Sequence, residues 1–487
     1  KGDAAAMFNS LLSTEPGSAT RRFFYSAVFW LIVPVFIGLI TATLLFAPPV
    51  QQFVPDWLKA NINFGRLRPA HVNVAIFGWL SMAYAGAMLF LTPRLAGTTL
   101  YSERLANLTM VLWNVLIVSA LISFPLGFTQ GREYAEMVWP LDVLFLVIFT
   151  LLAINIWKTI ARRTEKQIYI SLWHFMLSTL LIIPVYFIGN KVWPLYLANG
   201  QLAWDFSGAY VGMNDNIINY FYVHNLFNTW FTTGGIGLAL YLLPKLTGKP
   251  LYSHRLAIWG FWTVWTGQHH QLFSPSPYWL QTLTIIFSIL SAIPTSLFLF
   301  NFFMTMRGAW SLAVTDIRLR WFVVGVMYWG LTCVQGVAQS FPSFSLLTHF
   351  TNWVVGHSHL AFIGDYTFWA FPLIYLLLPV VAHRKMHSLR LAEWHFWLTN
   401  IGLIVFMMSL WVAGLIQGEN WIAGVPFIET VRAMNVYFFF RLAGGATMVV
   451  GQCIFAYNIY RTATSPVVAE APRPMFVPQT APSAGGK

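Results

Sequence analysis

Six of the twelve histidines are spaced for metal chemistry: His71, His224, the adjacent pair His269 and His270, and His357 and His359, which flank one serine. Neutral imidazole is the commonest protein metal ligand. On a helix, rings two residues apart point about 200° away from each other. His357 and His359 therefore face different neighbours, and each can ligate a separate haem iron. His71 can complete a six-coordinate haem with His359, a state suited to electron transfer. His357 alone on the other iron leaves an open face for small molecules. His224, His269 and His270 offer three imidazoles to one further metal, a donor set that suits Cu or Fe.

These side chains need elements that hold them at one level, and the composition says which elements those are. Of 487 residues, 57% are hydrophobic and only 9% charged, with 42 Phe and 23 Trp. Soluble domains carry roughly 25% charged residues. Apolar runs long enough to cross about 30 Å of hydrocarbon as helices fall at 23–47, 70–93, 103–127, 137–161, 168–189, 217–244, 253–272, 276–305, 316–340, 352–380, 391–416 and 432–461. The expected fold is all-α and polytopic, with twelve transmembrane helices in residues 21–461. Segments 1–20 and 462–487 are expected to be flexible cytoplasmic ends. No cleavable signal is expected near Met7, and no internal repeat stands out.

Basic residues test that count. Twenty-one of the 28 Lys and Arg fall in the segments on one side, and seven, with Arg441 inside a span, fall on the other. Cytoplasmic loops are the basic ones, so both termini are expected in the cytoplasm. The net charge of +12 then reports topology and attraction to anionic lipid, and no nucleic-acid partner is expected. Cys333 and Cys453 both lie in apolar stretches, which leaves no disulfide framework and no C-x-x-C-H motif for covalent haem. In this topology the six histidines, on four helices, share a depth near the outer face. His174, His254, His383, His387 and His395 lie mostly towards basic ends and read as ordinary interfacial or core residues. His349, just before the tenth span, reads as a loop residue or a donor to a haem propionate. Arg66 and Arg68, one turn before His71, suit propionates because guanidinium binds carboxylate in bidentate fashion. Glu133 and Glu136 form an acidic pair in a short outer loop.

The order of these histidines over twelve spans resembles the catalytic subunit of the haem-copper oxidoreductase superfamily, across residues 20–461. The strings from Phe64 to His71 and from Gly131 to Asp142 resemble C-family (cytochrome cbb-type) oxygen reductases. The string from His357 to Tyr366 is closer to nitric oxide reductases. The resemblance implies the subunit I fold in a bacterial inner membrane. It implies low-spin haem b on His71 and His359, high-spin haem b on His357, and a third metal on His224, His269 and His270. It further implies that Glu133 helps bind calcium between haem propionates and that Glu136 is a proton-path acid.

The departures from that pattern concern the substrate. C-family oxygen reductases carry a tyrosine six residues before the His–His pair, where this chain has Thr263. Other oxygen reductases place it four residues after the first metal histidine, where this chain has Asn228. Tyr222 lies on the wrong helix face, so no tyrosine is expected at the metal. Along the cytoplasmic proton route, beyond Ser253, this chain has His254, Ala257, Trp329 and Gln335, which relay protons poorly. Familiar nitric oxide reductases place glutamates at the positions of Asn228 and Gln335, so the resemblance is to a less familiar subfamily with a cupredoxin partner. The expectation is a nitric oxide reductase subunit. In it Asn228 orients an intermediate, copper fills the third site, and a cupredoxin or cytochrome c type subunit supplies electrons. The rivals are a C-family oxidase reducing O2 and a non-enzymatic haem membrane sensor or carrier.

Overall fold

The computed structural model describes residues 10–190, 195–198, 201–204, 212–261 and 268–468. Among them, eleven helices are long and apolar enough to cross a membrane. They are α1 (Ser18–Phe46), α2 (Phe64–Leu95), α3 (Glu103–Leu126), α4 (Trp139–Ala161), α5 (Ile170–Gly189), α6 (Gly212–Thr247), α8 (Tyr278–Met306), α9 (Ile317–Ser340), α10 (Asn352–Val381), α11 (Leu389–Ile422) and α12 (Asn435–Thr464). The expected seventh span is represented by α7 (His254–Trp259) and a 3-10 turn, Gln268–Gln271. Residues 262–267 between them, including Thr263, lie outside the described residues, as do Lys191 and the terminal stretches 1–9 and 469–487. The bundle is all-α except for a two-stranded hairpin, β1 (Leu195–Ala198) and β2 (Gln201–Trp204), before α6.

An internal repeat is present after all. The (Tyr/His)-Ser-x-Arg-Leu-Ala string occurs at Tyr101, Tyr252 and His387, at the starts of α3, α7 and α11. Each serine is clamped by an asparagine late in the next helix, which accepts from the serine N–H and donates to its carbonyl. The pairs are Ser102–Asn155 (3.2 and 2.8 Å), Ser253–Asn301 (3.1 and 2.8 Å) and Ser388–Asn458 (3.1 and 2.8 Å). Four residues after each asparagine a threonine hydroxyl takes the preceding backbone N–H. Each serine also caps its own helix by accepting from the N–H three residues on, satisfying donors a helix start leaves bare. The string is too short to stand out in a chain this long. Its meaning lies in the Asn-x-x-x-Thr partner some fifty to seventy residues away.

The chain thus forms three groups of four helices, each closing on one inner helix: α6, α10 and α2. In these three, 78–94% of the most apolar stretch is buried inside the protein, against 17–61% in the other long helices. Each inner helix changes character midway. A π-helical turn interrupts α2 at Val74–Leu80, α6 at Leu226–Thr232 and α10 at Leu360–Thr367. Such widened turns cluster at functional sites. Ser81 and Thr233 hydroxyls return to carbonyls five residues back, at Ile76 and Asn228, which satisfies groups that the wider turn leaves free. The turns are also bonded to one another. Trp79 Nε1 donates to Thr367 Oγ1 (2.9 Å), Trp230 Nε1 to Ser81 Oγ (2.9 Å), and the hydroxyls of Thr232 and Tyr366 share a bond of 2.7 Å.

Candidate metal and haem centre

The π-turns position the ligands. His71, His224 and His359 lie one to three residues ahead of the turns in α2, α6 and α10. All six histidines line a single cavity of about 790 Å3 between the inner helices.

At one end, His71 and His359 face each other with ring centroids 6.3 Å apart and planes at 19°. That gap is too wide for stacking contact. Two metal–nitrogen bonds of about 2 Å each, plus the two half-rings, fill it. Each ring is fixed by its other nitrogen: His71 Nδ1 donates to Pro34 O (2.7 Å) and His359 Nδ1 to Val355 O (2.8 Å). Both therefore present a bare Nε2, and such outer partners set a metal-binding histidine's tautomer. Close approach of α1 matters here, because a Cβ at Gly38 would come within 2.6 Å of the His71 ring. His357 donates from Nδ1 to the Gln335 amide oxygen at 3.1 Å. It faces a different part of the cavity from His359, as the helical angle requires. Gln335 thus has a role the sequence analysis missed, as the hydrogen-bond acceptor of His357.

His224, His269 and His270 bring one nitrogen each within 4.8 Å of one another. His224 Nδ1 and His270 Nε2 are 3.2 Å apart. Two nitrogens bound about 2 Å from one ion at a near-tetrahedral angle lie about 3.3 Å apart, so the pair fits a shared metal. His269 Nδ1 donates to Ser288 Oγ (2.7 Å), whose own hydroxyl bonds Thr284 O. That leaves His269 Nε2 bare, as a ligand requires.

The remaining expected residues divide. Asn228 lines the cavity from within the π-turn of α6. Arg68 lines it too and makes an ion pair with Glu133, with Glu136 3.8 Å away. Glu136 does not line the cavity. It is buried under the outer loop, where Asn73 donates to it at 2.9 Å. Burial, with Glu133 close by, pushes its carboxyl up to about 7. Arg66 is not among the cavity-lining residues; its guanidinium packs over Gly127, at the end of α3. Arg441, two turns into α12, lines the cavity and lies in the field of both His71 and His359. An arginine inside an apolar run is itself the signal. His349 lines the cavity and donates from Nε2 to the backbone carbonyl of His270 (2.8 Å), so it braces the metal loop.

One expectation about other residues changes. Tyr222 points away from the cavity, bonding Tyr134 O. Tyr220, however, lines the cavity, with its ring 5.9 Å from that of His270 and 26° from parallel. It precedes His224 by four residues and so shares its helix face. A tyrosine therefore does stand beside the metal histidines. His395 is a satisfied core histidine, fully buried and bonded to Tyr375 and Gln452. Midway along α9, Trp329 is buried against Phe298 and Trp369, an aromatic plug.

Comparison with known proteins agrees with this architecture. Residues 18–447 match the family described as cytochrome C and quinol oxidase polypeptide I. The chain is 33% identical to the cbb3-type cytochrome c oxidase subunit CcoN1 of Stutzerimonas stutzeri, covering 92% of this chain and 95% of that protein. It is 30% identical to cytochrome c oxidase subunit 1 of Rhodobacter capsulatus over 90% of this chain and 84% of that one. It is 23% identical to a nitric oxide reductase subunit of Stutzerimonas stutzeri, over 96% of this chain and 99% of that one. A solved heme-copper terminal oxidase shares the fold, with a TM-score of 0.74 at 14% identity, over 93% of this chain and 86% of that one. This chain belongs to the cytochrome c and quinol oxidase polypeptide I family, and it is a multi-pass membrane oxidoreductase of the haem-copper superfamily.

Proposed function

We propose that this chain is the catalytic subunit of a bacterial nitric oxide reductase, converting two NO, two electrons and two protons into N2O and water. The observation that carries this reading is the pair of amides at the centre: Asn228 in the cavity wall and Gln335 on His357. An amide neither titrates nor gives up an electron, and joining two NO requires neither a radical donor nor a cytoplasmic proton channel. The aromatic plug at Trp329 supports the same reading.

When bound, the haems and third metal supply the electrons and a Lewis acid for developing N–O negative charge. His71 and His359 hold the low-spin haem b, and His357, braced by Gln335, holds the high-spin one. His224, His269 and His270 hold the third metal. We assign copper, because three imidazoles with Asn228 in place of a carboxylate lack a hard anionic oxygen. Arg68 and Arg441, which line the cavity, would bind the haem carboxylates. Asn228 orients the intermediate by hydrogen bonding. Glu133 and Glu136 take protons from the outer side, and a carboxyl near pH 7 suits a group that both gains and loses them. A cupredoxin or cytochrome c type subunit on the outer face supplies electrons.

Reduction of O2 to water is the second reading. It is favoured by Tyr220 beside His270 and by relatives at 30–33% identity that are cytochrome c oxidase subunits. Anaerobic turnover of the purified complex decides between them. N2O formation from NO with slow O2 uptake is expected; fast O2 consumption with negligible N2O would overturn the proposal.

A further inference from the structure

Asp365 lies in the π-turn of α10, midway through the span, and is fully buried. Neither carboxyl oxygen has a hydrogen-bond partner of good geometry, and no ion pair involves it among the described residues. The groups facing it are the Thr332 hydroxyl, Tyr328 and Cys333 on α9, Tyr84 on α2, and the neighbouring Tyr366. None is a cation. An acid without a counter-charge at this depth is costly and marks function, and it is carried as the neutral acid. Behind it lies a wall of the cavity, since Thr332, Cys333 and Tyr366 all line that space while Asp365 does not. Thr332 therefore borders both Asp365 and the cavity. Along α9 it stands three residues, one turn, from Gln335, which holds His357.

We propose that Asp365 is a proton-holding residue that serves the cavity through Thr332. Asp365 passes its proton to the Thr332 oxygen as the Thr332 hydroxyl proton moves to a reduced acceptor in the cavity. Threonine ends unchanged, Asp365 is left as carboxylate, and bulk water restores its proton. No electron moves in this step. The assignment rests on the reading that the cavity houses a proton-consuming reduction, whichever gas is reduced.

Redox-difference infrared spectroscopy of the assembled, haem-loaded complex tests it. A carboxylic C=O band that shifts in D2O is expected in the wild type, lost in Asp365→Asn and displaced in Asp365→Glu. Thr332→Val should keep the band but slow single-turnover proton uptake by roughly 10²-fold, the scale of a lost proton-transfer group. No carboxylic band in the wild type, or a band untouched by Asp365→Asn, overturns the proposal. If Asp365→Asn does not assemble, unchanged proton uptake in both Asp365→Glu and Thr332→Val overturns it equally. The infrared signal needs no substrate, so failure to make N2O would count against the nitric oxide reading alone.

Discussion

His71, His269, His357 and His359 each have one ring nitrogen fixed by a hydrogen-bond partner, and the different partners make the proposed ligand assignments separable by experiment. His71→Ala and His359→Ala should each remove the low-spin, six-coordinate haem signal, and His357→Ala only the high-spin one; an intact low-spin optical spectrum in His71→Ala would overturn the pairing. Gln335→Leu keeps the ligand but removes the acceptor for His357 Nδ1–H. Loss of an outer-shell partner typically costs 10–100-fold, so turnover should fall by about that factor with high-spin haem content retained. Glu136 gives a pH prediction. Its carboxyl is raised from 4.5 to about 7 in the folded protein, chiefly by burial. Between those values the unfolded chain has already released this proton while the folded one keeps it, so stability declines as pH rises through that window. Glu136→Gln should flatten the decline of Tm between pH 5 and 7. An unchanged slope in the variant would show that Glu136 is not the group responsible. The ligand histidines were legible from the sequence because imidazoles are rare within spans and their spacing is distinctive. Gln335 and Ser288 were not, because their roles depend on which side chain lies across a helix interface.

At the scale of elements, the spans were legible from apolar length, and what the pattern hid was their interruption. A π-turn inserts one residue into a helix without breaking its apolar run, so neither hydropathy nor periodicity marks Val74–Leu80, Leu226–Thr232 or Leu360–Thr367. The bonds among these turns come from Trp79, Trp230 and Thr232, ordinary residues until three helices meet. The threefold clamp is hidden for the same reason: half of each unit lies in another helix. It matters to the metal centre because its second copy holds the start of α7, in the segment that leads to His269 and His270. Asn301→Ala removes two bonds to the Ser253 backbone and leaves buried polar groups unpaired, at about 1–3 kcal/mol each. A lower Tm is expected together with reduced occupancy of the third metal. The matching variant of the first copy, Asn155→Ala, should lower Tm alone. Equal metal content in the two variants would show that the clamp does not reach the site.

For the whole molecule, the argument turns on how electrons reach a cavity enclosed by three inner helices. The His71–His359 pair lies where the Phe64 end of α2 and the Asn352 end of α10 meet α1 and α11, with Arg68 and Arg441 beside it, so this end of the cavity is the one nearest the loops that precede those two helices. Those loops contain no cysteine, and the two cysteines of the chain, Cys333 and Cys453, are unpaired and lie within α9 and α12. Neither could join a thiolate copper site, which needs clustered soft ligands, or a covalent haem. Under the proposed function, a second subunit on the face nearest the His71–His359 pair carries the relay between a soluble donor and that pair. The isolated chain, loaded with its haems and metal, should be reducible by small chemical reductants but should turn over poorly with reduced cytochrome c or cupredoxin. Adding the native second subunit should raise that rate by orders of magnitude without changing the optical spectrum of the haems. Sustained turnover by the isolated chain with either soluble protein would sink the requirement. It would also locate the electron entry on this chain's own outer surface, where exposed aromatic groups such as Phe53 and Trp57 would then be the first residues to replace.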